Sequence, residues 1–341
     1  MAEVQSLPTL APGDILPTLV FGQPSGRQIC LGAESLLGCP VVIWVQGTAP
    51  QPIMAQALGQ KVEAFWEIGA QVYAVAATDT GMPRNVEVLI DPGQGVAQAL
   101  GIETSGIAVF DRDFKLAAVR PLGALQEALD ICAALYRRTV PAKVLAAAPA
   151  LIVHDVFEPD LCRALIDYWH HGEKRDSLVA SAEGMEVAGD GRKRRLDVWV
   201  EDRDLNEAIG ARFYTRIYPA MLKAFQFRAA AHQKPRVGCY DSLVAGAFGR
   251  HRDNDTPYTV HRQFAVTLNL NTGEYEGGQL WFPEFGRQLY EPGAGGAAVF
   301  SCSLLHEALP VLSGRRFGVF TFVSDAAAAD AASAVMGAAA V

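Results

Sequence analysis

The text of this chain changes rhythm once, and that change limits the folds open to it. Up to residue 137, short apolar runs rich in β-formers, VVIWV (41–45), QVYAVAA (71–77), VEVLI (86–90) and IAVF (107–110), are separated and followed by helical patterns at 54–68, 94–101 and 123–137. Such alternation packs helices over an open α/β sheet. At 139–150 the helical pattern of GALQEALDICAALYRR gives way to TVPAKVLAAAPA, where Pro and Ala accumulate. Beyond it strands follow one another through turns: VGCYDSLV, QFAVTLNLN, QLWFP, GAAVFS and RRFGVFTFV. That rhythm fits a β-sandwich or barrel with added helices. It is entered through DVFEPDLCRALIDYWHHG, whose Leu161, Leu165, Ile166 and Trp169 share one helical face. We expect two domains, residues 1–145 and 146–326, and an Ala-rich tail, 327–341, with little to bury.

Composition narrows the partners. Half of the 341 residues are hydrophobic and the net charge is −8, which argues for packed cores and against both disorder and a phosphate-binding surface. No nucleic acid partner is expected. No run approaches 18 apolar residues, and MAEVQSLPTLAPGD lacks the basic flank and apolar stretch of a signal peptide. The expectation is a soluble cytoplasmic protein with no membrane partner. The six cysteines, Cys30, Cys39, Cys132, Cys162, Cys239 and Cys302, form no C-x-x-C pair and no zinc spacing, so reduced thiols are expected.

In the first half, the order of elements and the stretches GDILPTL, LIDPGQGVAQALGI and AVFDRDFKL resemble the peroxiredoxin branch of the thioredoxin fold, over roughly residues 8–138. The chemistry of that family is missing. A peroxidatic cysteine needs a helix start, where the amide dipole favours thiolate. The stretch after VVIWV, residues 46–52, reads QGTAPQP and holds no cysteine; Cys39 lies before the strand and Cys30 further back. The proline that the family places near the later strand is absent from ETSGIAVF. The resemblance therefore implies a degenerate redoxin serving folding, dimerisation or partner docking, not a thiol peroxidase.

The second half carries the candidate chemistry. His251 and Asp253 in GRHRDND stand at i and i+2, which places both on one face of a strand. A third ligand from another strand, His306 in SLLHEALPV, 55 positions after His251, completes a two-His-one-carboxylate set. That set leaves open positions on Fe(II). H-x-D is common by chance, and a single strand histidine is more often only hydrogen-bonded. The company of His306 raises the reading: HEALPVLSGRRF supplies a turn and then Arg315 and Arg316 on a returning strand. A guanidinium there can bind a carboxylate bidentately.

With these residues in place, the chain from about 150 to 325 resembles the Fe(II)/2-oxoglutarate-dependent oxygenases, specifically their prolyl 4-hydroxylase-like branch. The match is carried by VGCYDSLVAGAFGRHRDND, EYEGGQLWFPEFG, GGAAVFSCSLLHEALPV and GRRFGVFTF. The resemblance implies a double-stranded β-helix (jelly-roll) domain in which His251, Asp253 and His306 bind iron. Arg316, ten residues after His306, would anchor the distal carboxylate of 2-oxoglutarate; Arg315 stays open as the alternative, since only one of two adjacent strand residues can enter the barrel. Tyr240 matches a pocket tyrosine. Phe248 stands where many members have a tyrosine. In FAVTLNLN, Phe264, Val266, Leu268 and Leu270 share one face and Ala265, Thr267 and Asn269 the other. The second set is expected to line the pocket, with Thr267 or Asn269 replacing the lost hydroxyl. Fe(II), 2-oxoglutarate and O2 would be the cofactors, and the implied reaction is hydroxylation of an aliphatic C–H in a protein, peptide or small molecule, releasing succinate and CO2. The alternative is a non-catalytic metal or metabolite binder with a redoxin-like assembly module, possible homodimers included in either case.

Neighbouring residues carry weaker expectations. Arg252 and Asn254 contact substrate or belong to the rim; His261 and Arg262 are expected as an exposed basic pair. The basic stretch Gly191 to Asp197 is expected as a solvated loop, a charged lid being the alternative. One of Trp281 and Phe282 should be core and the other pocket or interface, and Gly277 and Gly278 should serve a turn.

Overall fold

Five consecutive apolar residues, Val41–Val45, form β3, and all five are buried. A strand apolar on both faces must lie in the middle of a covered sheet. The computed structural model, which describes residues 7–22, 28–31, 38–47, 51–78, 82–137, 146–181, 184–187 and 191–330, places it there. The chain divides into two compact units, Met1–Lys143 and Val144–Val341. The expected linker at 138–145 and the tail from 331 lie outside the described residues.

In the first unit β1 (Leu19–Gly22) and β2 (Gln28–Leu31) form an antiparallel pair. β3 pairs in parallel with β4 (Gln71–Ala76), and β4 with β5 (Glu87–Ile90). On its other edge β3 meets β6 (Gly106–Phe110) antiparallel, and β6 meets β7 (Leu116–Pro121). The sheet order is β5-β4-β3-β6-β7. Among the described residues three helices, α1 (Pro52–Glu67), α2 (Gly95–Ala99) and α3 (Leu125–Arg137), accompany the sheet. Pro52 at the start of α1 suits a position whose N–H has no helical partner. Val42, Trp44, Ile107 and Val109 pack beneath α1 and α3, against Leu58, Val62, Phe65 and Ala128. Val41, Ile43, Val45 and Phe110 pack on the opposite face with Val96 of α2 and with Phe21 and Leu31 of the β1–β2 pair.

In the second unit an eight-stranded antiparallel sheet runs β8-β20-β16-β23-β14-β12-β9, with β13 also on β23. Its strands are β8 (Ala150–Val153), β9 (Arg175–Asp176), β12 (Leu196–Trp199), β13 (Ala231–His232), β14 (Arg236–Asp241), β16 (Phe264–Asn269), β20 (Ala297–Ser301) and β23 (Arg315–Ser324). A smaller sheet runs β15-β21-β18-β19, formed by β15 (Phe248–His251), β18 (Leu280–Trp281), β19 (Leu289–Tyr290) and β21 (His306–Ala308). Two-stranded pairs β10 (Leu178–Ala180) with β11 (Met185–Val187), and β17 (Glu276–Gly277) with β22 (Val311–Ser313), flank it.

Strand alternation sorts the side chains of the large sheet. Val237, Cys239, Val266, Leu268, Phe317 and Val319 face α4 (Pro159–His171), α5 (Arg203–Arg212) and α6 (Tyr218–Phe225), where they meet Leu165, Trp169, Ile209 and Met221. The other face turns to the small sheet: Ala265, Phe300 and Phe322 pack on Leu280 and Phe282, and Tyr240 and Phe320 on Phe248 and Ala308. The sandwich is thus closed by apolar contacts at both ends, with polar residues between. Residues 326–330 are helical, and among the described residues no helix is long and apolar enough to cross a membrane.

Candidate active site

β15 and β21 run antiparallel with His251 paired directly to His306, and their rings lie 4.1 Å apart. Asp253 follows two residues later, just past the end of β15, where its N–H donates to the Cys302 carbonyl at 2.9 Å. Each imidazole donates its Nδ1–H to a carbonyl two residues earlier, His251 to Gly249 at 2.8 Å and His306 to Leu304 at 3.0 Å. That bond assigns the tautomer and leaves Nε2 as a lone-pair donor. The Asp253 carboxylate stands between the two Nε2 atoms, 3.5 Å from His251 and 3.4 Å from His306. These gaps exceed a good hydrogen bond and suit atoms that converge on a shared ion; one ligand atom from each residue lies within 4.8 Å of the others. Burial pushes His306 down to about 4, against the pull of Asp253, so the imidazole is neutral and ready to ligate at physiological pH. Burial alone would raise Asp253, but His306, His251 and Arg262 outweigh it and hold the carboxylate ionised. Two imidazole nitrogens and one carboxylate, facing a cavity of about 300 Å³, fit a divalent first-row metal with positions left open.

The surroundings fix these ligands. Phe248 stacks on His251 with centroids 3.5 Å apart and an angle of 19°, and the Phe300 ring stands 4.7 Å from His306. Arg252 reaches Glu284 at 2.8 Å and the Ser303 carbonyl, while Glu284 accepts the Leu305 N–H at 3.2 Å. Asn254 donates to Ser303 Oγ at 2.9 Å. Both residues therefore tie the segment before His306 to the strand that carries His251.

The two arginines of β23 part company. Tyr240 pairs with Arg316, and Asp241 with Arg315. Arg316 turns inward and is only 3% exposed; its Nε and Nη2 donate to Asn269 Oδ1 at 3.2 and 2.9 Å. Arg315 turns outward to Asp241 Oδ2 at 2.7 Å, with its side chain 48% exposed. Tyr240 and Thr267 line the cavity with Arg316. Asn269 shares their face but does not line the cavity: it is held by the Pro292 carbonyl, to which Nδ2 donates at 3.0 Å, and stands behind Arg316 as its support.

Two neighbouring expectations need correction. The stretch Gly191 to Asp197 is not a solvated loop as a whole, because it alternates. Arg192, Arg194 and Leu196 are exposed, whereas Lys193 is half-buried and Arg195 and Asp197 are buried. Arg195 Nε meets Asp197 Oδ1 at 2.6 Å, Nη2 meets Ser177 Oγ at 2.9 Å, and Nη1 donates to the Tyr240 hydroxyl at 3.3 Å. Burial would raise Asp197, but Arg195, Arg236 and Lys193 hold its carboxylate below the usual range. Gly238 is required beside this pair, since a Cβ there would sit 2.6 Å from Asp197 Oδ1 and 2.8 Å from Arg195 Nε. Nor are His261 and Arg262 an exposed pair. Both are half-buried, and Arg262 lies over the Phe322 ring at 3.9 Å and lines the cavity. Arg236 was not singled out from the sequence, and Lys193, Arg195 and Asp197 entered only as members of the basic stretch; the period-two pattern Lys193–Arg195–Asp197, with Leu196 on the other face, was the available signal for their burial. Phe282 is core, 1% exposed, and Trp281 is half-buried with Nε1 donating to Gly286 at 2.7 Å. Gly277 and Gly278 have φ of 79° and 70°, as a turn requires.

No protein-family model matches the chain. Over 134 residues it is 30% identical to a PKHD-type hydroxylase of Colwellia psychrerythraea, covering 37% of this chain and 57% of that protein. The chain thus spans little more than half the length of this curated relative. Among solved structures it aligns with a prolyl hydroxylase from Trichoplax adhaerens, determined with a hypoxia inducible factor peptide fragment, at 17% identity and a TM-score of 0.43, over 53% of this chain and 86% of that one. A Pseudomonas putida prolyl-4-hydroxylase aligns at 19% identity and a TM-score of 0.40, over 52% and 93% of the two chains. The chain is similar in sequence, over the stretch they share, to a PKHD-type hydroxylase.

Proposed function

We propose that the second unit is an Fe(II)- and 2-oxoglutarate-dependent oxygenase that hydroxylates an aliphatic C–H of a protein, peptide or small molecule. One observation carries this reading: a cluster of two imidazoles and a carboxylate opens onto a cavity that an inward, buried arginine also lines. His251, Asp253 and His306 would hold the iron on one side. Bound together, iron, 2-oxoglutarate and O2 supply oxidation of a C–H to an alcohol, the keto acid leaving as succinate and CO2.

The residues of the chain bind and orient. Arg316, aligned by Asn269, would bind the distal carboxylate of 2-oxoglutarate as a charge-assisted pair. Tyr240 accepts from Arg195, so its own hydroxyl hydrogen is directed elsewhere and is available to the same carboxylate. Thr267 offers a further hydroxyl on that wall, and Phe248 orients the His251 ring by stacking. The name of the curated relative and the strand order of the sandwich support hydroxylation within a jelly-roll domain. For the first unit, we propose a degenerate redoxin: a parallel β-α-β segment followed by two antiparallel strands and a helix supports the fold, and no described helix starts at a cysteine.

The test is an anaerobic titration of the full chain with Fe(II) and then 2-oxoglutarate, followed by visible absorption. A charge-transfer band is expected when the keto acid chelates the iron. It should vanish in His251→Ala and in Asp253→Ala; absence of the band in the folded wild-type chain would overturn the proposal.

A further inference from the structure

The cavity is far more cationic than the chain that encloses it. Eight lysine and arginine side chains line it against four carboxylates, in a protein whose net charge is −8. The internal pairs do not absorb this excess. Asp197 is closed by Arg195, Asp253 lies among the proposed metal ligands, and Arg316 points at the proposed cosubstrate site. Arg175 and Arg252 pair with Glu173 and Glu284, Lys193 donates to the Leu178 carbonyl and Arg192 is exposed; Arg236 and Arg262 remain. They flank one aromatic ring, their guanidinium carbons 5.8 and 3.9 Å from the centroid of Phe322. The Nε of each is buried without a hydrogen-bond partner among the described residues. Arg236 Nε lies 3.2 Å from Asp197 Oδ2, but Asp197 already receives two bonds from Arg195 and one from Ser177. Buried donors without a hydrogen bond are costly and uncommon in native proteins, and stacking on an aromatic face offsets only part of that cost.

Their place in the fold separates them from Arg316. On β14 and β23, Arg316 is level with Tyr240, whereas Arg236 is level with Phe320, four residues along the strand. At about 3.3 Å per residue this is roughly 13 Å of sheet. Arg236 and Arg262 therefore form a second cationic end, close enough to Asp253 for its charge to act on both. Burial, with Arg195 and Arg262 nearby, pushes Arg236 down to about 10, as expected for a cation that lacks its full share of negative charge.

We propose that Arg236 and Arg262 bind a carboxylate of the primary substrate, so that the molecule oxidised is an acid, either a small free acid or an acidic residue of a peptide. This rests on the oxygenase reading of the same site. The cavity of about 300 Å³ lies at the small end of ligand pockets and also holds the proposed cosubstrate site, so beside it there is room only for a compact acid or one side chain. Phe320, Phe322 and Trp199 among the lining residues supply apolar walls to the carbon skeleton.

The probes are hippurate and its neutral amide, hippuramide, which differ in charge but little in shape. Each is titrated calorimetrically into the anaerobic Fe(II)- and 2-oxoglutarate-saturated full chain. Hippurate is expected to bind at least tenfold more tightly than hippuramide. Arg236→Gln and Arg262→Gln should each shrink that ratio toward one, and Arg262→Lys should retain part of it; circular dichroism reports whether each variant is folded. Equal binding of the two probes, binding of neither, discrimination that survives both Gln variants, or hippurate that competes with 2-oxoglutarate would each overturn the proposal. An N-acetylated, C-amidated peptide with one glutamate separates the sources: tighter binding than hippurate identifies a peptide side chain, weaker binding a free acid. A chain that shows the charge-transfer band without charge discrimination breaks this inference alone. A chain that discriminates without the band breaks the oxygenase reading instead.

Discussion

The central sheets of the two units are built on opposite plans. In the first, β3 and β6 are buried at every position, and both faces are covered by apolar side chains of helices or of the β1–β2 pair. Such a sheet has no face to spare for chemistry. In the second, helices cover one face with an apolar layer, while the other face carries Asp197, Tyr240, Asn269 and Arg316, all buried. Polar groups can persist there because each is supported by a partner and because the opposing sheet closes the space only at its ends. The contrast teaches that the cover determines whether a sheet is scaffold or site: two apolar covers leave a scaffold, whereas one incomplete cover leaves a cavity whose polar lining must be paired.

The largest effect should come from breaking that pairing. Asp197→Ala leaves Arg195 buried against Tyr240 and Phe320, and unpairing a buried charge costs about 3–5 kcal/mol. Urea unfolding of the second unit should register it. Because the folded carboxylate is held below its usual range, its contribution is present above the unfolded value of about 3.9 and is lost as pH falls through the lower folded value. The gap between wild type and variant should therefore narrow in acid. A loss below about 1 kcal/mol at neutral pH, the scale of an exposed pair, would mean that the polar face does not depend on its pairings.

A smaller effect separates two neighbours on one strand. Arg316→Gln removes a buried cation and should weaken 2-oxoglutarate binding by about 30-fold or more, near 2 kcal/mol. Arg315→Gln removes an exposed partner of Asp241 and should change binding less than threefold, since such pairs contribute about 0–1 kcal/mol. The reverse order in a 2-oxoglutarate titration would place the anchor on the outer face and erase the distinction between faces.

How much of this was legible followed from how each feature is determined. β3 was legible residue for residue because five apolar residues leave one solution. β1, β2 and β7 were not expected: they are short, and their burial alternates or is incomplete, so pairing rather than local pattern makes them strands. His251, Asp253 and His306 were legible from spacing and company, although Asp253 lies past the strand that the spacing implied. Period-two alternation gave the face of Asn269 but not its depth, because depth is set by Arg316 and Pro292 across the sandwich. Arg195 was hidden in a basic run, where charge suggests solvent; only its tertiary partners Asp197, Ser177 and Tyr240 make its burial tolerable.

The smallest expected effect tests the scaffold side of the comparison. A reactive thiolate needs a nearby positive charge or a helix N-terminus. Cys30 lies within β2 and Cys39 before β3, whereas α1 begins at Pro52 after Gln51. Burial pushes the Cys39 thiol up rather than down, and Cys132, on the buried face of α3, is pushed up to about 12. Burial thus disfavours the anion that attacks peroxide at Cys39 and Cys132. Cys30→Ser and Cys39→Ser should therefore leave hydrogen peroxide consumption by the full chain unchanged, at the rate of buffer with the same thiol reductant. A faster wild-type rate that falls in either variant would show that the first unit carries chemistry of its own, and a sheet with two apolar covers could then no longer be read as scaffold alone.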